Sequence, residues 1–304
     1  MAVQREVWLN MVEQNLFDDL LTKVQGALKD DSAFIYSGGG VTTIHIPNAG
    51  TPASVTEGNT TYPVSTSERT DADNYYSLTN LEIGPIRVGW NETKQLSYDK
   101  EESVLNDNLQ GLSLRAARNI LNGQYHYTTG KYVVTTGASE VGHAPGATGN
   151  RKAFTAYDLK AALAIMDKQS VPANERALII DSTMFWQLMN DLDFNADRLP
   201  VQPIGGLGSI DLYGVKIIPV VNAVFATSAG VVRAAGNTGA ATDQAVALLL
   251  QKGCTSFGMS DIYANVSDNA PGMFGNTYEA SVMVGGKYRR SDKYGIIPII
   301  QANA

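Results

Sequence analysis

The stretch Ser97–Tyr127, SYDKEESVLNDNLQGLSLRAARNILNGQYHY, constrains the fold more than any other part of this chain. Leu105, Leu109, Leu112, Ala116 and Ile120 recur every three or four residues, the spacing of one helical face. The Ser97 hydroxyl can accept from an otherwise unpaired N–H at the helix start. Asp99, Glu101 and Glu102 fall in the first turns, and Arg115 and Arg118 lie toward the end, the order that complements the helix dipole. Asn122-Gly123 offers a stop. The pattern predicts a helix of roughly 25 residues, on the order of 40 Å long and about twice the usual length. A small domain cannot hide such a helix, so it must act as a strut that carries other elements.

The chain has 304 residues, 44% of them hydrophobic, enough for one or two packed cores. A net charge of −7 argues against a broad basic grip on nucleic acid. Cys254 is the only cysteine, so no disulfide can form within the chain. That fits a reducing compartment or stabilisation by other means. No run of about 18 apolar residues predicts a membrane span. The N-terminus lacks the continuous apolar core and small-residue cleavage site of a secretory signal.

Residues 5–25 read as an amphipathic helix, with Trp8, Met11, Val12, Leu16 and Leu20 on one side. Its stripe must dock either on its own domain or on a neighbouring subunit. Ser37–Gly40 is a flexible break, followed by a short strand over Val41–Ile46. Residues 47–77 are rich in Thr, Ser, Asn, Pro and Gly, too polar for a core of their own. Their Thr, Val and Tyr content suits extended backbone, which predicts a two-stranded loop projecting from the body and ordered by a partner surface. A disordered linker is the competing reading. After Pro85, Ile86, Val88 and Trp90 alternate with Arg87, Gly89 and Asn91, a strand with one buried face leading into the long helix. Residues 128–154 form a glycine-rich loop without the Gly-Lys-Ser/Thr ending of a phosphate cradle.

From Thr155 helix and strand alternate. Thr155 with Asp158 resembles a capping box, ahead of a stripe of Leu159, Ala162, Leu163 and Met166. Ala177–Ile180 is a buried strand. Ser182 is placed to cap a helix carrying Phe185, Leu188, Met189 and Leu192. Leu212–Val221 and Ala245–Gln251 are further strands, and 223–243 reads as a surface excursion. Tyr278–Tyr288 and Ile296–Ile300 flank Ser291–Gly295, which predicts a C-terminal β-hairpin. Its strands need a partner, and the strand at 86–91 is the obvious one.

The search for chemistry returns no constellation. His45, His126 and His143 have no metal-ligand partner at helical or short-loop spacing, which points to structural or solvated roles. Cys254 has no base nearby in sequence, as a small packing residue would have none. Asp191, Asp193, Asn195 and Asp197 alternate like the front of a calcium loop. The sixth position, however, is Ala196 instead of glycine, and the twelfth is Gln202 instead of a bidentate glutamate. A helix end and turn is the better reading. No Gly-x-Ser-x-Gly elbow or dinucleotide fingerprint occurs. No catalytic, cofactor-binding or metal residue is assigned, and the chain reads as a protein without enzymatic activity and without a cofactor.

The order of pieces is nonetheless distinctive: amphipathic arm, polar extended loop, strand into long helix, α/β module, β return. It resembles the major capsid proteins of tailed bacteriophages, the fold named for phage Hong Kong 97. IMDKQSVPANERALIIDSTMFWQLMND resembles the helix–turn–strand–helix of the axial domain in podovirus-type shell proteins. LYGVKIIPVVN resembles the strand that follows, SVMVGGKYRRSDKYGIIPI the closing hairpin, and DDSAFIYSGGGVTTIHIPNAG the approach to the E-loop. The resemblance implies an α+β chain with an N-arm over 1–40, an E-loop over 41–80 and a peripheral-domain strand and spine helix over 81–127. It further implies a connecting loop over 128–154, an axial domain over 155–243, and a return to the peripheral domain with a C-terminal hairpin over 244–304.

The resemblance also implies a role. Copies would assemble through hexamers and pentamers into an icosahedral shell around double-stranded DNA, with the DNA near but not gripped. The shell would form in the cytoplasm of a bacterial host and end in the virion. A portal protein and, absent an N-terminal coiled-coil predomain, a separate scaffolding protein are implied partners; decoration proteins are optional, and no membrane is involved. Two other readings stand beside it. One is an encapsulin-like cellular shell, and the other is a two-domain binding protein or enzyme with a site unseen in sequence.

Overall fold

The computed structural model describes residues 20–36, 42–50, 55, 57–60, 62–63, 66, 68–89, 100–191, 210–221, 223–268 and 275–304. Five α-helices are described: α1 Leu20–Ala27, α2 Ala33–Tyr36, α3 Lys100–Gln124, α4 Ala156–Lys168 and α5 Ser182–Asp191. The strands are β1 Thr43–Asn48, β2 Ala72–Ser77, β3 Thr79–Val88, β4 Val133–Val134, β5 Ser139–Val141, β6 Asn150–Lys152, β7 Arg176–Asp181, β8 Ile210–Leu212, β9 Val215–Val220 and β10 Val224–Ala226. Five more follow: β11 Gln244–Gln251, β12 Thr255–Met259, β13 Tyr263–Asp268, β14 Asn276–Tyr288 and β15 Ile296–Ile300.

Strands whose residues are apolar on both faces need cover on both sides. β7, β11 and β15 are buried along their whole length and lie together in a sheet ordered β4-β15-β11-β7-β9-β8, with β10 also on β11. Leu178, Ile180, Ile217, Leu249, Ile297 and Ile299 face α4 and α5. The alternate residues Ile179, Ile218, Leu248, Leu250 and Ile300 join α1 and α3 on the other face. The predicted capping box starts α4: Thr155 Oγ1 accepts from the Asp158 N–H, and Asp158 Oδ2 accepts from the Thr155 N–H at 3.0 Å. The start of α5 corrects the sequence reading. Asp181, not Ser182, accepts the Thr183 N–H at 3.0 Å, because the strand ends on a carboxylate already aimed at the first turn.

The second sheet is built around the 13-residue strand β14. β3 runs antiparallel along one edge, and β12 and β13 follow each other along the opposite edge. Ser260 stitches the break between those two: its N–H donates to Met283 O at 2.8 Å, and its hydroxyl accepts from Met283 N at 2.9 Å. The register between β3 and β14 shifts at Gly84-Pro85, which oppose Glu279; a proline without an N–H is at home in such a bulge.

The predicted long helix is α3, 25 residues from Lys100 to Gln124. Leu112, Ala116 and Ile120 of the predicted stripe are buried, together with Ala117 and Leu121. They form one core with Val282 and Val284 of the second sheet and Val246 and Leu248 of the first. A strut across both sheets is therefore what the periodicity encoded. Helix and strand meet at two glycines: a Cβ placed on Gly123 would sit 1.8 Å from the Gly286 carbonyl oxygen. Upstream, Leu21, Val24 and Leu28 pack α1 into the same core, while Trp8, Met11, Val12 and Leu16 lie outside the described residues.

The C-terminal segment departs from expectation. β3 does pair with β14, as proposed for the strand near 86–91, but β14 and β15 do not form a hairpin. β15 pairs with β11 and β4 in the other sheet, and β11 itself lies beside β7. The physical reason is coverage. β14 alternates buried and more open positions, suiting a sheet with one solvated face, whereas β15 reads IIPII and must be buried on both. The two stretches with open roles also gain structure. β5 pairs with β6, and β4 and β10 join the large sheet. Residues 128–154 and 223–243 pack together through Thr148 N to Ala241 O, 3.0 Å, and through the buried Arg151, which donates to the Ala241 and Asp243 carbonyls at 3.1 and 3.3 Å.

Candidate assembly surfaces

The residues that sequence could single out do not converge. His45 on β1 lies 2.6 Å from the Asp73 carboxylate of β2, at the surface. His143 meets the Gln187 amide at 2.7 Å, and that amide also donates to Glu140. His126 is buried with Nε2 2.9 Å from the Ile296 carbonyl, and burial pushes its pKa down to about 4. Cys254 is buried beneath Gly295, and desolvation raises its thiol pKa. Of the calcium-like run, only Asp191 is described; its carboxylate accepts the Ala156 N–H at 2.8 Å, and Asp193, Asn195, Asp197, Ala196 and Gln202 lie outside the described residues. Among the described residues, no group of three or more His, Cys, Asp or Glu is placed to hold a metal ion. No described helix is long and apolar enough to cross a membrane.

What the structure does build is a firmly rooted two-stranded extension. β1 and β2 pair antiparallel from Thr43↔Ser77 to Asn48↔Ala72, within the stretch expected to be extended. Alternation sends Ile44, Ile46 and Tyr76 inward to pack with Ile35 and Leu78, and His45, Asp73 and Tyr75 outward. The root is tied to the end of β14. Asn74 Nδ2 donates to Tyr288 O at 2.6 Å, and Asn48 Nδ2 to Arg289 O at 2.8 Å. Beneath them, Arg289 forms an ion pair with the buried Asp31 at 2.6 Å, Asp31 accepts the Ser256 hydroxyl, and Ser256 meets the Tyr76 hydroxyl at 3.1 Å. Burial, above all, pushes the Tyr76 phenol up to about 12. Residues 31, 76, 256 and 289 are far apart in sequence, and no local pattern announces their meeting.

Beside this root a groove of about 400 Å³ runs along β1, lined by Thr43–Pro47, Phe34 and Arg289. The turn after β14 carries a dense set of cations and rings: Lys131 and Arg290 lie 4.4 and 5.7 Å from the centre of the Tyr294 ring. On the large-sheet body, Trp186 of α5 is 57% exposed and Tyr157 of α4 is 70% exposed, large apolar surface for a chain of this kind to leave in water. Such surfaces suit contacts with other chains better than chemistry.

No family model and no curated protein matches the sequence. Solved structures do match across most of the chain. The structure described as Mycobacterium phage Che8 covers 91% of this chain and 90% of its own, at 15% identity and a TM-score of 0.61. The cyanophage Pam1 capsid asymmetric unit covers 91% and 88%, at 12% identity and a TM-score of 0.60. The chain has the fold of a phage capsid subunit. The capsid of Ralstonia phage GP4 agrees, over 86% of this chain and 83% of its own, at 12% identity and a TM-score of 0.56. With identities this low the similarity lies in the arrangement of elements. The capsid-subunit fold, with a rooted two-stranded extension, a long helix and two sheets, is the one anticipated from the order of pieces in the sequence.

Proposed function

We propose that this chain is the major capsid protein of a tailed phage, assembling through hexamers and pentamers into an icosahedral shell around double-stranded DNA. The observation that carries the reading is the match of 86–91% of the chain to structures of phage capsids and of a phage head. The role is structural and not enzymatic, a reading supported by the scatter of His126, Asp191 and His143 over separate parts of the fold. β1, β2 and the residues between them are the E-loop. Residues 1–40 are the N-arm, with α1 as its anchored end. β3, β12, β13, β14 and α3 form the peripheral domain with its spine helix. The large sheet with α4 and α5 is the axial domain; its strands β4, β11 and β15 lie outside the 155–243 range drawn from sequence.

An extension rooted by a buried ion pair but bearing few apolar residues beyond its root supports a contact with a neighbouring copy. A net charge of −7 supports a wall that encloses DNA without adhering to it. The site of action is the virion, after assembly in the host cytoplasm with a portal and a separate scaffolding protein, and with decoration proteins where the lattice needs them. Negative-stain microscopy of the purified chain tests the reading. Shells or ring-shaped capsomers are expected; a strictly monomeric protein at high concentration would overturn it.

A further inference from the structure

The Gln187 side chain of α5 fixes the protonation state of a histidine through hydrogen-bond geometry. Gln187 is buried, and its Oε1 accepts the Phe154 N–H at 3.0 Å. A backbone N–H can only donate, so the amide oxygen must face Phe154 and the amide nitrogen must face the other way. That nitrogen has two hydrogens and two neighbours. It donates to the Glu140 carboxylate at 2.8 Å and lies 2.7 Å from His143 Nε2. An amide N–H needs an acceptor, so His143 Nε2 carries a lone pair and the ring proton sits on Nδ1. All the hydrogen-bonding groups of the amide are then used, but only while the imidazole is neutral.

A proton on His143 Nε2 sets two donors against each other at 2.7 Å. Glu140 supplies the alternative. Its carboxylate and the His143 ring meet the same amide nitrogen, so an imidazolium that leaves Gln187 has an anion within reach for a charge-assisted bond. The other charged groups on the neighbouring elements are already engaged. Arg151 of β6 donates to the Thr148 and Ala241 carbonyls, Asp191 of α5 accepts the Ala156 N–H, and Asp158 of α4 accepts from the Thr136 and Thr155 hydroxyls. Lys152 of β6 is exposed.

What the amide holds down is β5. β6 is tied to the end of the chain by backbone bonds, Lys152 N to Ala302 O at 2.9 Å and Ala304 N to Asn150 O at 3.3 Å. β5 is exposed along its length and pairs with β6. Glu140 and His143 link this edge to α5 through Gln187. Histidine is the side chain whose charge ordinarily changes between pH 5 and 8, so this link is sensitive to mild acid.

We propose that His143, Gln187 and Glu140 form an acid-released clasp, in which protonation moves the ring from the Gln187 amide to the Glu140 carboxylate and frees the 139–143 edge from α5. The clasp stands on side-chain geometry and does not depend on the capsid reading. It is also distinct from His126, which lies past the end of α3 and takes up its proton only at about pH 4.

Hydrogen exchange of the full-length chain tests it, at about pH 7.5 and about pH 5.5 and corrected for the intrinsic pH dependence of exchange. Residues 139–143 should exchange about tenfold or more faster at the lower pH, while β7 keeps its protection. His143→Gln offers an amide oxygen that can accept from Gln187 at either pH, so it should protect 139–143 at both. Glu140→Gln takes away the new partner and should move the transition to lower pH. Unchanged protection of the wild type across the range would overturn the clasp. So would an acid response of His143→Gln equal to that of the wild type, an unmoved transition in Glu140→Gln, or a simultaneous loss of protection in β7, which would make the event global unfolding.

Discussion

At the scale of single residues, the molecule spends its polar groups on holding the extension and the turn after β14 in place. Asp31 is 3% exposed and accepts from Arg289 and Ser256. Removing the arginine would strand a buried carboxylate, which typically costs about 3–5 kcal/mol. Arg289→Ala should therefore lower the urea midpoint substantially, and loss of protection at 43–48 and 72–77 in hydrogen exchange should accompany it. His126 makes the opposite kind of demand. Its folded pKa of about 4 lies below the ordinary value of 6.5, so the unfolded chain takes up a proton that the folded chain refuses. Stability from this group is thus complete above about pH 6.5 and declines as the pH falls toward about 4. His126→Gln should lose less of its thermal midpoint than the wild type between pH 7 and pH 4.5; equal losses would show that the imidazole is not the proton acceptor.

At the scale of elements, α3 contains two glycines that test opposite sides of one rule. Replacing glycine by alanine in a helix interior normally gains up to about 1 kcal/mol. Gly111 has nothing within 4 Å of where a Cβ would sit, so Gly111→Ala should stabilise by that amount. Gly123 lies against the Gly286 backbone, where a Cβ would fall 1.8 Å from the carbonyl oxygen. A backbone atom cannot rotate away as a flexible side chain can, so the steric term wins. Gly123→Ala should destabilise by roughly 1–3 kcal/mol, the usual cost of overpacking, and the two variants should move the denaturation midpoint in opposite directions.

At the scale of the whole molecule, one helix serves two sheets. The core that contains Leu112, Ala116 and Ile120 includes residues of both, so the sheets are not independent bodies hung on a linker. The extension is tied to the turn after β14 through Asn48 and Asn74, which roots it in the second sheet. On the proposed capsid reading, a subunit that repeats identical contacts needs its attachment points fixed relative to one another, and buried hydrogen bonds with the Asp31–Arg289 pair would supply that here.

Periodicity, capping and polarity are local, and what they encode was legible in the sequence. The 25-residue helix, the Thr155–Asp158 box and the buried strands at 177–180 and 245–251 follow from residue spacing alone. So did the order of elements that marks the fold. Which strands share a sheet was decided only by tertiary structure, because β14 and β15, separated by a short turn, differ in how many faces they must bury and so part company. The same holds for the Asp31–Arg289 pair, the meeting of Gly123 with Gly286, and the approach of Lys131 to the Tyr294 ring. Each joins residues distant in sequence, and a one-dimensional pattern carries no signal for a contact made only when two sheets close on one helix.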